Sequence, residues 1–535
     1  VSSRSDVVVI GSGINGLVAA AELALSGRSV TIVERNQTLG GFIDSGERTV
    51  KGFTHDTFSS WHPLFVSGAA YEVLGDELAK RGLRYCNSEH VVTAGVGSNG
   101  AVSLAYRDAS QTAAGFAEAQ DKDAYLTMLG DLDGHAPAVF GALGSELDPR
   151  GVGALALTTL RSQRLSGVES LVREALTSGR SYLHSRFRGH ETDQLWSPWL
   201  LHAGLTPDSA TGGVMLPVMA ATMHQFGLPV VEGGARHFID AFQRLFDDTG
   251  VAVVTGSAVT EIVLDDGRAV GVRTAHEECL ADIAVIAGVT PQALYTELLP
   301  ACAVSAATTE SARHYRYGRG AMQIHLALDR PVSWSDDRLD AVPLIHVSDG
   351  AASIAVACAE ASAGLLPRRP TVVVGQQSLL DPSRAPEGKA TLWIQLQEVP
   401  YAPVGDSAGE IDITNGWAGP ARAAYADRVI DQIAQSAPGL VETIVARDII
   451  APSDLEAHNC NAVDGDPYAG SAEIDQNLRW RPATSNGRHR TCIDGLWHIG
   501  ASTHPGPGLG GGSGHLSAQQ IISRGTRRSL TRFFS

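Results

Sequence analysis

A run of apolar residues, Val7-Val8-Val9-Ile10, gives way to Gly11-Ser12-Gly13-Ile14-Asn15-Gly16, a small-residue stretch to about Ser26, and a second apolar run, Val30-Thr31-Ile32-Val33, closed by Glu34. The order is strand, glycine turn, helix, strand, acid. Two strands joined through one helix lie parallel, so this segment commits the chain to a βαβ unit and to an α/β fold. Each glycine answers a separate need. Gly11 permits the tight exit from the strand, Gly13 lets the backbone approach a diphosphate, and Gly16 lets the helix pack close to the sheet. The helix N-terminus, with Ile14 and Asn15 in its first turn, offers free N–H groups and a positive dipole end to phosphates. Glu34 stands where a carboxylate accepts the ribose hydroxyls, and its charge disfavours a 2′-phosphate. The reading is a dinucleotide site. An ordinary glycine-rich turn is the alternative, and the strand, helix and acid around it argue against that.

The segment Glu34-Arg35-Asn36-Gln37-Thr38-Leu39-Gly40-Gly41 sets a double glycine just beyond the acid. Near the far end, Gly495 to Ser502 reads as a short strand and a small-residue turn, and Thr503 to His515 is rich in glycine and proline ahead of a helix from Leu516 to about Ser523. Glycines there let the backbone lie against a flat ring, and a helix starting there aims its N–H groups at developing negative charge. These motifs resemble those of phytoene desaturase-type flavoproteins in the amine oxidase superfamily, and in particular the pyridine nucleotide-disulphide oxidoreductase domain group. Glu232-Gly233-Gly234, Asp381 to Lys389, Ala437-Pro438-Gly439, Asp454-Leu455-Glu456 and Arg481-Pro482 follow in the order that resemblance requires. It implies FAD as the cofactor, with Gly11, Gly13, Ile14, Asn15, Gly16, Glu34, Arg35, Gly40, Gly41, Val259, Gly500, Ser502, Gly510 and Gly511 as its contacts. Val259 is implied to bond the adenine through its backbone. Phe42 stands where the group often has Arg or Ala, and the turn at Ser502 lacks the acid that holds the ribityl chain in the wider superfamily.

The resemblance implies a Rossmann-type FAD-binding domain, built on a parallel sheet from residues 1–95, 226–295 and 446–535, intertwined with a substrate domain of mixed sheet and helices from 96–225 and 296–445. Within the latter, Ala321 to Leu328 and Ala390 to Gln397 alternate as strands whose one face floors a cavity. A net charge of −17 argues against nucleic acid as a partner. No stretch approaches a membrane span of roughly 20 apolar residues, and Val1 to Asp6 is too short for a signal peptide. None of Cys86, Cys279, Cys302, Cys358, Cys460 and Cys492 pairs as CxxC, so the expectation is reduced, mostly buried thiols in a cytoplasmic protein without redox-disulphide chemistry. The tail, with Arg524, Arg527, Arg528, Arg532 and Phe533-Phe534, reads as a frayed end; peripheral contact with an anionic membrane is the alternative. The arginine run Arg161, Arg164, Arg173, Arg180, Arg186 and Arg188 reads as a solvated helix face, with an anionic-substrate funnel as its alternative.

A flavin performs hydride exchange, so the protein has to place a C–H bond and exclude water. His62 and His504 are the acid/base candidates because imidazole titrates near neutrality. Trp61, His202 and His224 are expected at the substrate pocket. No metal site is expected, since no histidine pair has HExxH spacing. Lysine is scarce, which lowers the case for amine oxidation. The leading expectation is dehydrogenation of an apolar or partly conjugated small molecule, with oxygen or a quinone reoxidising the flavin. The alternatives are a reduced-flavin polyene isomerase and a non-catalytic flavin-holding protein.

Overall fold

The computed structural model describes residues 2–482, 484 and 487–533. Strand β1 (Ser2–Ile10), helix α1 (Ile14–Leu25) and strand β2 (Val30–Val33) form the βαβ unit. Strands β3 (Val91–Val96) and β4 (Val102–Tyr106) lead into helices α2 (Ala119–Leu143), α3 (Pro149–Leu176) and α4 (Gly212–Phe226). Helix α5 (Arg236–Thr249) precedes β5 (Ala252–Val254), the hairpin β6 (Val259–Asp265) and β7 (Arg268–Thr274), and β8 (Glu278–Ala287). Strands β9 (Gly320–Leu328), β10 (Leu344–Val347), β11 (Val372–Gly375), β12 (Ala390–Val399) and β13 (Ile444–Ile450) follow. Helix α6 (Pro452–His458), strand β14 (Leu496–His498) and helix α7 (Gly512–Phe533) come last.

The first of two seven-stranded sheets runs β6-β7-β8-β1-β2-β5, with β14 also beside β8. Strand β1 is parallel to both β2 and β8, in a register that sets Ile10 opposite Val33 and opposite Ala287. Ala287 is in turn opposite His498. Four strands therefore finish at one level, and their loops at Gly11, Glu34, Gly288 and Ile499 share one edge. In a parallel sheet that edge is where ligands bind. Helix α5 buries Phe238, Ile239, Phe242, Leu245 and Phe246, a helical spacing of apolar residues, in the same core as Val7, Val9 and Ile32.

The second sheet runs β13-β9-β12-β11-β10-β3-β4 and is antiparallel except where β10 meets β3. Its two faces differ. Met322, Ile324, Leu326 and Leu328 of β9 join Leu392, Ile394 and Leu396 of β12 in an apolar core with Tyr425 and Val429. The alternate residues Ala321, Gln323 and His325 of β9, and Trp393, Gln395 and Gln397 of β12, point the other way. That alternation matches the expected strands, although both faces are covered. Arg384, with a side chain only 1% exposed, joins Asp56 at 2.8 Å and Asp381 at 3.1 Å. Asp56 also accepts from the Ala235 N–H, and Asp381 from the Gly233 N–H. This buried ion cluster fastens three distant stretches of chain beneath the second sheet.

Several expectations need correction. The boundary at 95/96 cuts through β3, and that at 445/446 cuts through β13; both strands belong to the second sheet because they hydrogen-bond to β10 and β9. The last helix starts at Gly512 rather than Leu516, since the small residues there pack into α1: a Cβ on Gly514 would lie 2.0 Å from the Asn15 carbonyl oxygen. Of the six cysteines, only Cys279 and Cys358 are buried, while Cys302, Cys460 and Cys492 are exposed; all are free thiols. Arg164, Arg527, Arg528 and Arg532 have side chains outside the described set, and Phe534 lies outside the described residues. Arg524 lies over the Trp497 ring at 5.4 Å. Among the described residues no helix is long and apolar enough to cross a membrane, and no metal-binding cluster occurs.

Candidate functional site

A cavity of about 670 Å³ runs from the edge of the first sheet to the mixed face of the second. Its volume lies within the roughly 300–1,000 Å³ of ligand pockets. At the first sheet it is lined by Gly11 to Gly16, Val33 to Asn36, Gly40, Gly41, Ala258 and Val259. At the second it is lined by Ala321, Gln323 and Gln395, with Phe58, Ser59, Tyr468 and Ala469 beside them. Gly500, Ala501, Ser502 and Leu509 bring the C-terminal loop to the same space. The two ends of the chain are held together there: His515 Nδ1 lies 2.7 Å from a Glu22 carboxylate oxygen on α1, and Gln519 donates to the other oxygen.

The glycine turn shows two different constraints. A Cβ on Gly16 would lie 2.2 Å from the Gly11 carbonyl oxygen, so the helix start tolerates no side chain. A Cβ on Gly13 would meet nothing within 4 Å. Its missing side chain leaves open space in the lining, as a backbone that receives a diphosphate requires. Glu34 accepts from the Ser12 N–H at 2.8 Å and hydroxyl at 2.7 Å, and from the Asn36 N–H at 2.8 Å. The Ser12 hydroxyl also accepts from the Gly40 N–H, which ties the acid to the double glycine. The carboxylate is thus fixed beside the turn, and its oxygens keep capacity for ribose hydroxyls.

A strap from the far half of the chain closes the cavity edge, and the motifs alone did not identify it as lining. Arg35 donates to the Ala457 carbonyl, Asn36 to that of His458, and His458 Nε2 to that of Gly41. Asn461 donates to the Gly288 carbonyl. The His458 ring lies 4.5 Å from Phe58, which lies 5.0 Å from Phe42. Arg481, fully buried, donates to the carbonyls of Ala501, Ser471, Tyr468 and Gly470, so it braces the C-terminal loop against residues 468–471. Ser502 donates to the Ala469 carbonyl and is committed to that brace.

Other expected site residues lie away from the lining. Gly510 and Gly511 are packing positions; a Cβ on Gly511 would reach Val18 of α1 at 2.6 Å. His62 is 0% exposed, against Tyr85 and Phe238, with its Nδ1 3.1 Å from the Tyr85 hydroxyl. Burial pushes its pKa down to about 4. His504 donates from Nε2 to the Ala142 carbonyl, and burial lowers it to about 4 as well. Both imidazoles face packed protein and stay neutral at neutral pH, so the acid/base role does not suit them. His224 donates to the Tyr106 carbonyl and accepts from the Tyr125 hydroxyl, which uses both nitrogens. His202 sits with its Nε2 3.0 Å from that of His346, next to Trp199, and burial lowers its pKa to about 3. Trp61 packs against the helical layer and bridges to Val230. These three line a core on the second sheet's mixed face, outside the cavity.

Residues 9–76 match the family described as an NAD(P)-binding Rossmann-like domain. The chain is 26% identical to rat pyridine nucleotide-disulfide oxidoreductase domain-containing protein 2, over 97% of this chain and 93% of that protein. It is 24% identical to a limonene dehydrogenase component of Castellaniella defragrans, over 97% and 94%. It is 22% identical to a 4,4'-diapophytoene desaturase of Staphylococcus haemolyticus, over 94% and 95%. The chain is a relative of these oxidoreductases and carotenoid desaturases. Solved structures share the fold: an oxidoreductase from Methanosarcina mazei has a TM-score of 0.61 at 17% identity, covering 97% of this chain and 100% of its own. Putrescine oxidase bound to putrescine also has a TM-score of 0.61, at 15% identity, covering 98% and 100%. With the glycine turn, the fixed Glu34 and the open lining at Gly13, the cavity suits a dinucleotide of the flavin type.

Proposed function

We propose that the protein holds FAD along this cavity and dehydrogenates a small, largely apolar or partly conjugated molecule at its second-sheet end. One observation carries the reading: a single continuous space joins the dinucleotide-shaped edge of the first sheet to a floor of side chains on the second. Gly13 would admit the diphosphate, Glu34 would accept the adenosine ribose hydroxyls, and Val259 would face the adenine. The loop Gly500 to Ser502 would lie along the ring system. Helix α7 begins beside that loop, its Ser513 hydroxyl accepting from the Gly500 N–H, so its positive end favours negative charge there.

When bound, FAD supplies the hydride acceptor. The chain's own contribution is position and dryness. Phe42, Phe58 and His458 wall the cavity, and the second sheet closes its floor. Tyr468 lines that floor; burial pushes its phenol pKa up, so it remains protonated, and it accepts a bond from Gln397. Among the described residues, no lysine lines the cavity. The proton released with the hydride would pass to water or to a lining base such as His458, so the step needs no lysine. Oxygen or a quinone would take the electrons onward. The test is anaerobic mixing of the flavin-loaded protein with a substrate library, read by loss of the oxidised flavin absorbance and by product mass two hydrogens lower. A protein purified free of flavin and unable to take it up would overturn the proposal.

A further inference from the structure

We infer that the substrate is a neutral molecule bearing an N–H or O–H donor, read by Gln323 on the cavity floor. This rests on the oxidoreductase reading above and narrows its substrate class. Gln323 is 2% exposed and lines the cavity. Its Nε2 lies 2.6 Å from the Phe58 carbonyl oxygen. A carbonyl can only accept, so the atom facing it has to be the amide nitrogen, and the amide oxygen has to be the free one. That Oε1 is buried without a partner. A buried acceptor left unpaired is costly, and a ligand that brings a donor removes the cost.

The neighbours define what kind of donor fits. Gln395 is opposite Gln323 in the β9–β12 register and lines the same floor. Opposite residues share a sheet face, so two amides stand side by side. Phe58, Ser59, Ala321, Tyr468 and Ala469 complete this end, and none carries a charge. The charged lining groups Glu34, Arg35 and Glu297 belong to the first-sheet end. An ammonium substrate would find no counter-charge at the floor, and a plain hydrocarbon would leave Gln323 unpaired. A neutral alcohol or amide on an apolar skeleton meets both conditions.

The test uses the flavin-loaded protein with linear and cyclic ten-carbon unsaturated probes, each prepared as hydrocarbon, alcohol and ammonium. Binding is measured by calorimetry and reduction by anaerobic flavin bleaching. The expected result is that the alcohols bind at least about tenfold tighter than either counterpart. Gln323→Leu should erase that preference while keeping its FAD content, and Gln395→Leu should weaken it if Gln323→Leu does not fold. Equal or tighter binding of the hydrocarbon or ammonium forms would overturn the inference while flavin bleaching still upheld the oxidoreductase reading. A Gln323→Leu protein that loses FAD and keeps the alcohol preference would reassign the amide to the cofactor and overturn it too. Bleaching by no probe, with none bound, would count against both.

Discussion

The two sheets meet the same cavity by different means. The first contributes backbone: strand ends in register at Ile10, Val33, Ala287 and His498, and glycines whose absent side chains shape the space. The second contributes side chains: Ala321, Gln323 and Gln395 on one face of two long strands, with an apolar core on the reverse face. Backbone recognition suits a part of the ligand that is the same in every turnover. Side-chain recognition suits the part that defines one substrate. Under the proposed function, this division assigns the cofactor to the first sheet and substrate specificity to the second.

The sharpest way to break this division is within the glycine turn. Gly16→Val should fail to give a stable flavin-binding protein, because the added atoms meet the Gly11 carbonyl, a backbone group held in the sheet edge. Thermal unfolding and flavin content of the purified variant would check it. Next in size is the ion cluster under the second sheet. Arg384→Met leaves Asp56 and Asp381 buried without their cation and should cost about 3–5 kcal/mol in chemical denaturation. A change under 1 kcal/mol would mean the cluster does not fasten the two halves.

Gly13→Ala should behave unlike Gly16→Val. Its Cβ has room in the protein itself, so stability without cofactor should stay near that of the parent, while FAD affinity falls at least about tenfold. Equal affinity would show that the diphosphate lies elsewhere.

A smaller effect, per residue, concerns acid. His55 and His202 are lowered to about 3, and His62, His498 and His504 to about 4, mainly by burial. Their unfolded value is about 6.5. Between those values the unfolded chain binds protons that the folded chain refuses, so stability is complete above about pH 6.5 and is lost as pH falls toward 4 and below. Each histidine adds about 1.4 kcal/mol per pH unit to that slope. Urea midpoints measured at pH 7.5, 6 and 5 should fall steeply over the last interval, and a flat profile would contradict the buried, neutral assignment of His62 and His504.

How much of this was legible in the sequence follows the same division. The nucleotide end is local: a glycine turn and Glu34 lie within one βαβ unit, and their spacing alone implies what they surround. Even there the role of Ser12, which links Glu34 to Gly40, was not evident, because a hydroxyl in a glycine turn has no distinctive spacing. The far end was legible only as strands. Alternation in Ala321 to Leu328 marks Gln323 as sharing a face with His325, yet not which face meets a cavity, since that depends on Phe58, Tyr468 and Ala469 arriving from distant segments. His62 and His504 misled for the same reason. Nearness to a motif along the chain does not fix side-chain direction, and both point into packed protein. The strap at His458 to Asn461 carried no motif, although its three consecutive polar residues His458-Asn459-Cys460 ahead of Asn461 mark an unusual turn after α6.

The central claim is that one FAD lies between the two chain ends, with its nucleotide on the first sheet and its ring toward the second. A crystal structure of the flavin-loaded protein tests it most directly. The diphosphate is expected against Gly13, the adenosine ribose on Glu34, and the ring between Gly500 to Ser502 and the floor at Gln323 and Gln395. A flavin bound outside this cavity, or lying in it with the ring at Glu34, would contradict it.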